Sequence, residues 1–172
     1  MNLLTLIYYL QTLKNKRDEQ IKTLREQGIT KIGDLEEREL FLSGVSLYWA
    51  EGFKKDNQMG FSNSDPEMIR FFILWLERCC DISKERLRLR VGINEQFKEV
   101  VNEIQEFWST TLKIPLNQFQ KPFFQKVMWK KTYDNPERYH GVLRVRVSRS
   151  SELLRMMYGW IEGLKKQKLS NS

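Results

Sequence analysis

Two short stretches of the chain alternate arginine with aliphatic residues, and this alternation constrains the fold more than any other feature. One is residues 86–91, with the sequence RLRLRV, and the other is residues 143–147, LRVRV. A period of two places successive side chains on opposite faces of a β-strand, so each stretch predicts a strand with one apolar and one basic face. Helices must then cover the apolar face, and the basic face stays open.

Three segments carry apolar residues at the three-and-four spacing of helices that bury one side. The first is marked at its start by Ser64, which can cap it, by Pro66 in the first turn, and by Glu67, which completes a capping box. The three segments are residues 64–80, 95–112 and 150–164.

Two weaker strand patterns complete the predicted domain. Residues 52–63 read as a hairpin around a polar turn, and residues 123–131 alternate so that Lys126 and Lys130 share one face. Strands and helices mixed in this order predict an α+β fold, in which helices layer on one face of an antiparallel sheet.

Composition indicates a folded domain with a polyanionic partner. The chain has 172 residues, long enough to bury a core without disulfides or metals. Its 29 Lys and Arg residues against 22 Asp and Glu residues give a net charge of +7. A basic excess on an aromatic-rich, folded chain favours nucleic acid first and an anionic membrane surface second.

The cysteines and the apolar segments indicate where in the cell the protein is expected to be found. The two cysteines, Cys79 and Cys80, are adjacent and form neither a disulfide framework nor a zinc-ligand pattern. The apolar opening MNLLTLIYYL lacks a basic start and a cleavage site, and no apolar run reaches the length of a membrane span. We therefore expect an intracellular protein, in the cytoplasm or on the nucleoid, that is not embedded in a membrane.

The N-terminal segment is predicted to be a helical arm. Apolar residues recur at helical spacing over residues 3–27, and Gly28 offers a natural stop. A helix-turn-helix is disfavoured, because the sequence after Thr30 is acidic where a recognition helix would be basic. The predicted organisation is an arm over residues 1–38, a domain over 39–166 and a flexible tail over 167–172.

The basic strand faces are the strongest candidate binding surface. Several arginines on one face, without acids between them, would repel one another unless a bound anion offset their charge. The alternative interpretation is a solvated surface that happens to be basic. Duplex DNA is the favoured partner, because arginine can reach guanine in two-point fashion and can hold phosphates. RNA is less favoured, because no aromatic residue alternates with the arginines. The candidate DNA-binding residues are Lys54, Lys55, Arg86, Arg88, Arg90, Lys126, Lys130, Arg144 and Arg146.

A second candidate site lies at the end of an apolar helix over residues 41–51. Its last residue, Glu51, is followed by Gly52, and a carboxylate is unfavourable at the negative end of a helix dipole unless a cation is near. That cation could be a bound metal, or simply Lys54 or Lys55. Small residues recur along one side of the same helix, at Ser43, Ser46 and Ala50, and would allow a second helix to approach closely.

Residues 44–52, GVSLYWAEG, resemble the signature helix of the LAGLIDADG homing endonucleases. Ser46 stands at a small motif position, Glu51 at the acidic position and Gly52 at the terminal glycine. The order of hairpin, helix and basic strands that follows is similar to that family through residues 40–165. The segment NSDPEMIRFF also looks like part of bacterial LAGLIDADG-like domain proteins.

The resemblance implies a saddle-shaped sheet on duplex DNA, with motif helices from two copies packed together. It implies that Glu51 is catalytic and, with its counterpart, holds Mg²⁺ at the scissile phosphates. One motif copy per chain implies a homodimer through the 41–51 helix. By their position on the predicted sheet, Lys126 and Lys130 are candidates for the supporting basic residue of that family. The alternatives are a DNA-binding regulator with the same fold that does not cleave, and an RNA-binding or structural protein.

Overall fold

The computed structural model describes residues 2–126 and 139–167. The chain divides into two compact units, residues 1–36 and residues 37–172, which are considered separately below. Residues 168–172 of the predicted tail lie outside the described part.

The N-terminal unit is a single helix, α1 (Leu3–Ile32). Asn2 caps its start, where the side chain accepts a hydrogen bond from the Leu4 amide at 3.3 Å. The prediction that Gly28 ends this helix is wrong, because glycine inside a helix costs only about 1 kcal/mol and the helix continues past it. The helix ends at Ile32 and is capped by Gly33, whose φ of 58° suits glycine, and no residue of α1 is buried.

The larger unit contains four helices and four strands among the described residues. Short 3-10 turns at Lys84–Arg86, Glu95–Val100 and Leu116–Gln118 connect them. The elements in chain order are α2 (Glu37–Glu51), β1 (Gly60–Asn63), α3 (Pro66–Cys80), β2 (Leu87–Asn94), α4 (Val101–Leu112), β3 (Phe123–Gln125), β4 (Val142–Val147) and α5 (Ser151–Lys165).

The strands form one mixed sheet in the order β1-β4-β2-β3. Strand β4 is antiparallel to both β1 and β2, whereas β3 runs parallel to β2. The α+β class is confirmed, and the expectation of a purely antiparallel sheet is wrong. The physical reason is the connection, because the chain passes through α4 between β2 and β3, and a crossover of that kind returns the next strand in the same direction.

Three local predictions need correction. Residues 52–63 do not form the two strands of a hairpin: Gly52 makes a single bridge with Phe61, and β1 pairs with β4. Helix α3 is capped by Asp65, whose carboxylate accepts from the Glu67 amide at 2.9 Å, and not by Ser64. The 95–112 segment begins with a 3-10 turn, and α4 starts only at Val101.

The core lies on one face of the sheet, as the alternation predicts. The aliphatic residues of β2 and β4 turn inward, so that Leu89 and Val145 have no exposed surface. Aromatic rings of α3 and β1 stack over them, with the centroids of Phe61 and Phe72 4.6 Å apart. Buried residues of α4 and α5 belong to the same core.

Helix α2 joins this core through its glycine. A β-carbon on Gly44 would lie 2.0 Å from the indole ring of Trp75, so only glycine permits this approach of α2 to α3. The indole nitrogen of Trp75 donates to the Phe41 carbonyl at 3.1 Å, which fixes the ring. The close contact of α2 within the chain is therefore made at Gly44, whereas Ser46 and Ala50 are exposed.

Candidate nucleic-acid interface

The open face of the sheet carries four arginines in two directly opposed pairs. The register of β2 and β4 places Arg88 opposite Arg146 and Arg90 opposite Arg144. Their strand neighbours Leu89 and Val145 point into the core, so the four arginines share the opposite face. We call Arg88, Arg90, Arg144 and Arg146 the arginine face.

Like charges directly opposite one another destabilise a sheet, so the arginine face requires compensation. Arg146 forms an ion pair with Asp56, which lies in the loop before β1. Arg88 donates to the carbonyls of Glu85 and Leu87, both at 2.7 Å, and Arg90 donates to the Lys121 carbonyl at 2.9 Å. Carbonyl groups satisfy the donors but leave the positive charges in place.

Two phenylalanine rings flank the arginines. The guanidinium carbon of Arg144 lies 4.8 Å from the centroid of Phe53 and 5.7 Å from that of Phe123. The Phe123 ring also faces Arg90 at 5.1 Å, and the Phe53 ring faces Arg146 at 5.9 Å. Contacts of this kind hold guanidinium groups against the rings and restrict their motion. Arg144, which lies near both rings, is the centre of the arginine face.

Each ring rests on a glycine of the sheet. A β-carbon on Gly60 would lie 2.3 Å from the Phe53 ring, and one on Gly92 would lie 2.3 Å from the Phe123 ring. Sequence reasoning missed both phenylalanines, because neither lies in the two strands that alternate arginine with aliphatic residues. The available signal was the glycines, since a glycine inside a strand often marks the close approach of another group.

The pKa of Arg144 reflects its partial burial and the arginines beside it. Burial lowers the pKa of Arg144 most, the neighbouring Arg146 and Arg90 lower it further, and Asp56 raises it. Arginine keeps its charge at neutral pH because its ordinary pKa is above 12. A bound anion would offset the repulsion that these neighbours impose.

Two of the predicted contact residues are engaged elsewhere. Arg86 lies in the turn before β2 and donates to the carbonyls of Ser148 and Arg149, at 2.9 and 3.0 Å. Lys54 donates to the carbonyls of Tyr48 and Gly52, at 2.8 and 2.7 Å, and so caps the end of α2. Both side chains therefore hold the backbone in place.

The remaining predicted lysines lie around the arginine face or outside the described residues. Lys55 is exposed in the same loop as Asp56, and Lys126 is exposed directly after β3. Lys130 lies outside the described residues, as does the second half of the predicted 123–131 strand.

Glu51 is exposed at the last position of α2. Burial lowers the pKa of Lys54 and the charge of Glu51 raises it, so the carboxylate acts on the same lysine that caps the helix. Among residues 2–126 and 139–167, no three His, Cys, Asp or Glu side chains form a cluster that could hold a metal.

In the described part of the chain, no helix is both long enough and apolar enough to cross a bilayer. Comparisons with models of protein families, with curated proteins and with solved structures found no match to this chain.

Proposed function

We propose that the protein binds duplex DNA through the arginine face. The observation that carries this proposal is the direct opposition of Arg90 and Arg144, two cations on adjacent strands that form no ion pair within residues 2–126 and 139–167. Asp56, the carboxylate that acts on Arg144, is already paired with Arg146. Such an arrangement costs stability in the free protein, and a phosphate bound between the strands would offset that cost.

The phenylalanine rings favour a duplex over an unpaired strand. Proteins that bind single strands offer exposed aromatic surfaces on which bases stack. Here Phe53 and Phe123 are half-buried, each packed on a glycine and against guanidinium groups. Little ring surface is left for a base, whereas the arginine side chains are held in a fixed array that suits phosphates and guanine edges.

The proposal is tested by comparing duplex and single-stranded oligonucleotides by fluorescence anisotropy. We expect the Arg90→Ala, Arg144→Ala double variant to lose duplex affinity by at least about tenfold. A matched control is Arg70→Ala with Arg155→Ala, which removes two exposed arginines from the helices α3 and α5. Equal loss in both double variants would mean that only net charge matters and would refute the proposal.

Arg144→Lys separates charge from geometry. Lysine keeps the positive charge but lacks the planar group that lies against the two rings and binds two acceptors at once. If Arg144 contacts a guanine, the lysine variant should lose sequence preference more than total affinity. If Arg144 contacts only phosphate, both the total affinity and the sequence preference of the lysine variant should change little.

As a second candidate function, we propose Mg²⁺-dependent cleavage by a LAGLIDADG-like homodimer. It is favoured by the place of Glu51 in the chain, exposed and only two residues before Phe53, whose ring lies against Arg144. A carboxylate at the border of a DNA-binding surface could hold Mg²⁺, which prefers oxygen ligands and keeps several waters. Exposed Ser46 and Ala50 on α2 would permit close contact with a second copy.

Glu51→Gln tests the second candidate separately from the first. The amide preserves shape but removes the charge that would hold Mg²⁺. On duplexes selected from a random library by binding, we expect cleavage by the unmodified protein to disappear in the variant while affinity persists. Tight binding without cleavage by the unmodified protein, in Mg²⁺ or Mn²⁺, would instead favour the non-cleaving regulator.

A further inference from the structure

Helix α1 exposes an unusual amount of apolar surface. It is 30 residues long and buries none of them. Leu3, Leu10, Leu13 and Leu24 are each between 46% and 69% exposed. Isolated helices of moderate length are marginal in water, and most helices in proteins are held by packing of an apolar side. The helix therefore requires a partner for that side.

The apolar residues of α1 follow a seven-residue repeat. The first core position of the repeat is held by Leu3, Leu10, Arg17 and Leu24, and the second by Leu6, Leu13, Gln20 and Gln27. Ile7 and Ile21 widen the same stripe on one side. Between residues 11 and 26 the outward positions are polar or charged: Gln11, Thr12, Asn15, Asp18, Glu19, Lys22, Arg25 and Glu26. The outward positions after them hold Ile29 and Ile32. A repeat of seven with a polar outer side is typical of coiled coils.

We propose that α1 pairs with α1 of a second copy of this chain as a parallel, two-stranded coiled coil. In parallel register each leucine of the core positions meets its own counterpart, so the pattern is complementary to itself. An antiparallel overlap of residues 3–27, which pairs first with second core positions, would instead place Leu3, Leu10 and Leu13 beside Gln27, Gln20 and Arg17 of the other copy. A second copy therefore covers the stripe without any further partner.

Arg17 is the distinctive residue of this interface. It occupies a core position, is exposed, and pairs with Asp18 at 3.6 Å. A single charged residue at such a position fixes the register and limits the number of strands, at a cost in stability. Its long side chain can reach the edge of the interface while its aliphatic part covers neighbouring leucines.

The test is the molar mass of the full chain by sedimentation equilibrium. We expect a dimer for the unmodified protein, and at least a roughly hundredfold weaker dimer for Leu10→Lys, which removes one buried leucine from each copy and adds two charges. Tyr8→Lys is the matched control, because Tyr8 lies at an outward position two residues away and is 76% exposed. It should leave the dimer intact.

Arg17→Leu gives a change in the opposite direction. Replacing the charged core residue with leucine should tighten association by about tenfold or more, because an apolar pair then fills the layer. This variant removes the concern that Leu10→Lys merely unfolds the helix. Looser association in Arg17→Leu would contradict the assigned register.

Cross-linking tests the parallel arrangement. Leu13→Cys should form a disulfide between copies under mild oxidation, and Tyr8→Cys should not. The native thiols interfere little, because burial raises the pKa of Cys80 to about 12 and also raises that of Cys79.

The proposal is overturned if the unmodified chain is monomeric, or if Leu10→Lys and Tyr8→Lys behave alike. A dimer that survives Leu10→Lys and is lost in Ser46→Leu would equally overturn it, and would place the interface on α2. None of these outcomes depends on DNA binding.

Discussion

Replacing Asp56 with asparagine should tighten the binding of duplex DNA. Asp56 forms the ion pair with Arg146 and lowers the charge of the arginine face. In the unmodified protein, Arg146 must leave this pair before it can contact a phosphate. The side chains of Arg146 and Asp56 are 42% and 19% exposed, so breaking the pair costs roughly 0.5–1 kcal/mol.

A second contribution comes from the carboxylate itself, which would remain near the bound phosphates. Repulsion between unit charges several ångströms apart in water is on the order of 0.5–1 kcal/mol. The two effects together predict that Asp56→Asn binds duplex roughly tenfold more tightly at moderate salt. The freed Arg146 should also steepen the dependence of log affinity on log salt by about 0.9.

Fluorescence anisotropy at several salt concentrations measures both quantities. Glu77→Gln is the control, because it makes the same change in net charge at an exposed position of α3, on the helical side of the sheet. Urea unfolding should show less than about 1 kcal/mol of lost stability for Asp56→Asn. If Asp56→Asn binds no more tightly than Glu77→Gln, Asp56 does not compete with DNA and the reasoning is refuted.

Three further predictions concern packing and reactivity. Gly92→Ala should displace the Phe123 ring, lower stability by about 1–3 kcal/mol in urea unfolding, and weaken duplex binding in anisotropy. Gly44→Ala should also destabilise by about 1–3 kcal/mol in urea, because the clash with Trp75 exceeds the gain in helix propensity; a stabilised variant would show that α2 and α3 can separate. Burial raises the pKa of Cys80 to about 12, and the thiolate is the form that reacts with iodoacetamide. Cys80 should therefore react slowly up to about pH 10. Mass spectrometry that finds Cys80 labelled as fast as an exposed thiol would contradict this.

The alternation of arginine with aliphatic residues predicted the two central strands and their common basic side. Periodicity specifies which side chains share a face, and burial of Leu89 and Val145 follows from it. Periodicity does not specify strand direction. The parallel pairing of β2 and β3 therefore could not be read from the sequence, since it depends on the path of the chain through α4.

The candidate site was predicted only in part, because free backbone carbonyls are invisible in a sequence. Arg86 has the same spacing as the other arginines, yet its guanidinium donates to carbonyls at the end of β4. Lys54 likewise follows a helix whose last carbonyls need donors. Conversely, Phe53 and Phe123 reach the arginine face from outside the two strands that carry the arginines. Phe53 lies against Gly60 and Phe123 lies against Gly92.

The most direct test of DNA binding by the arginine face is NMR of the arginine side chains during titration with a duplex. Each arginine Nε–H group gives its own signal, and assignment by single substitutions identifies the relevant ones. We expect the signals of Arg90 and Arg144 to shift and broaden as duplex is added, while those of Arg70 and Arg155 on the helices stay in place. Shifts confined to Arg70 and Arg155, or no shift in Arg90 and Arg144 at saturating duplex, would contradict the account.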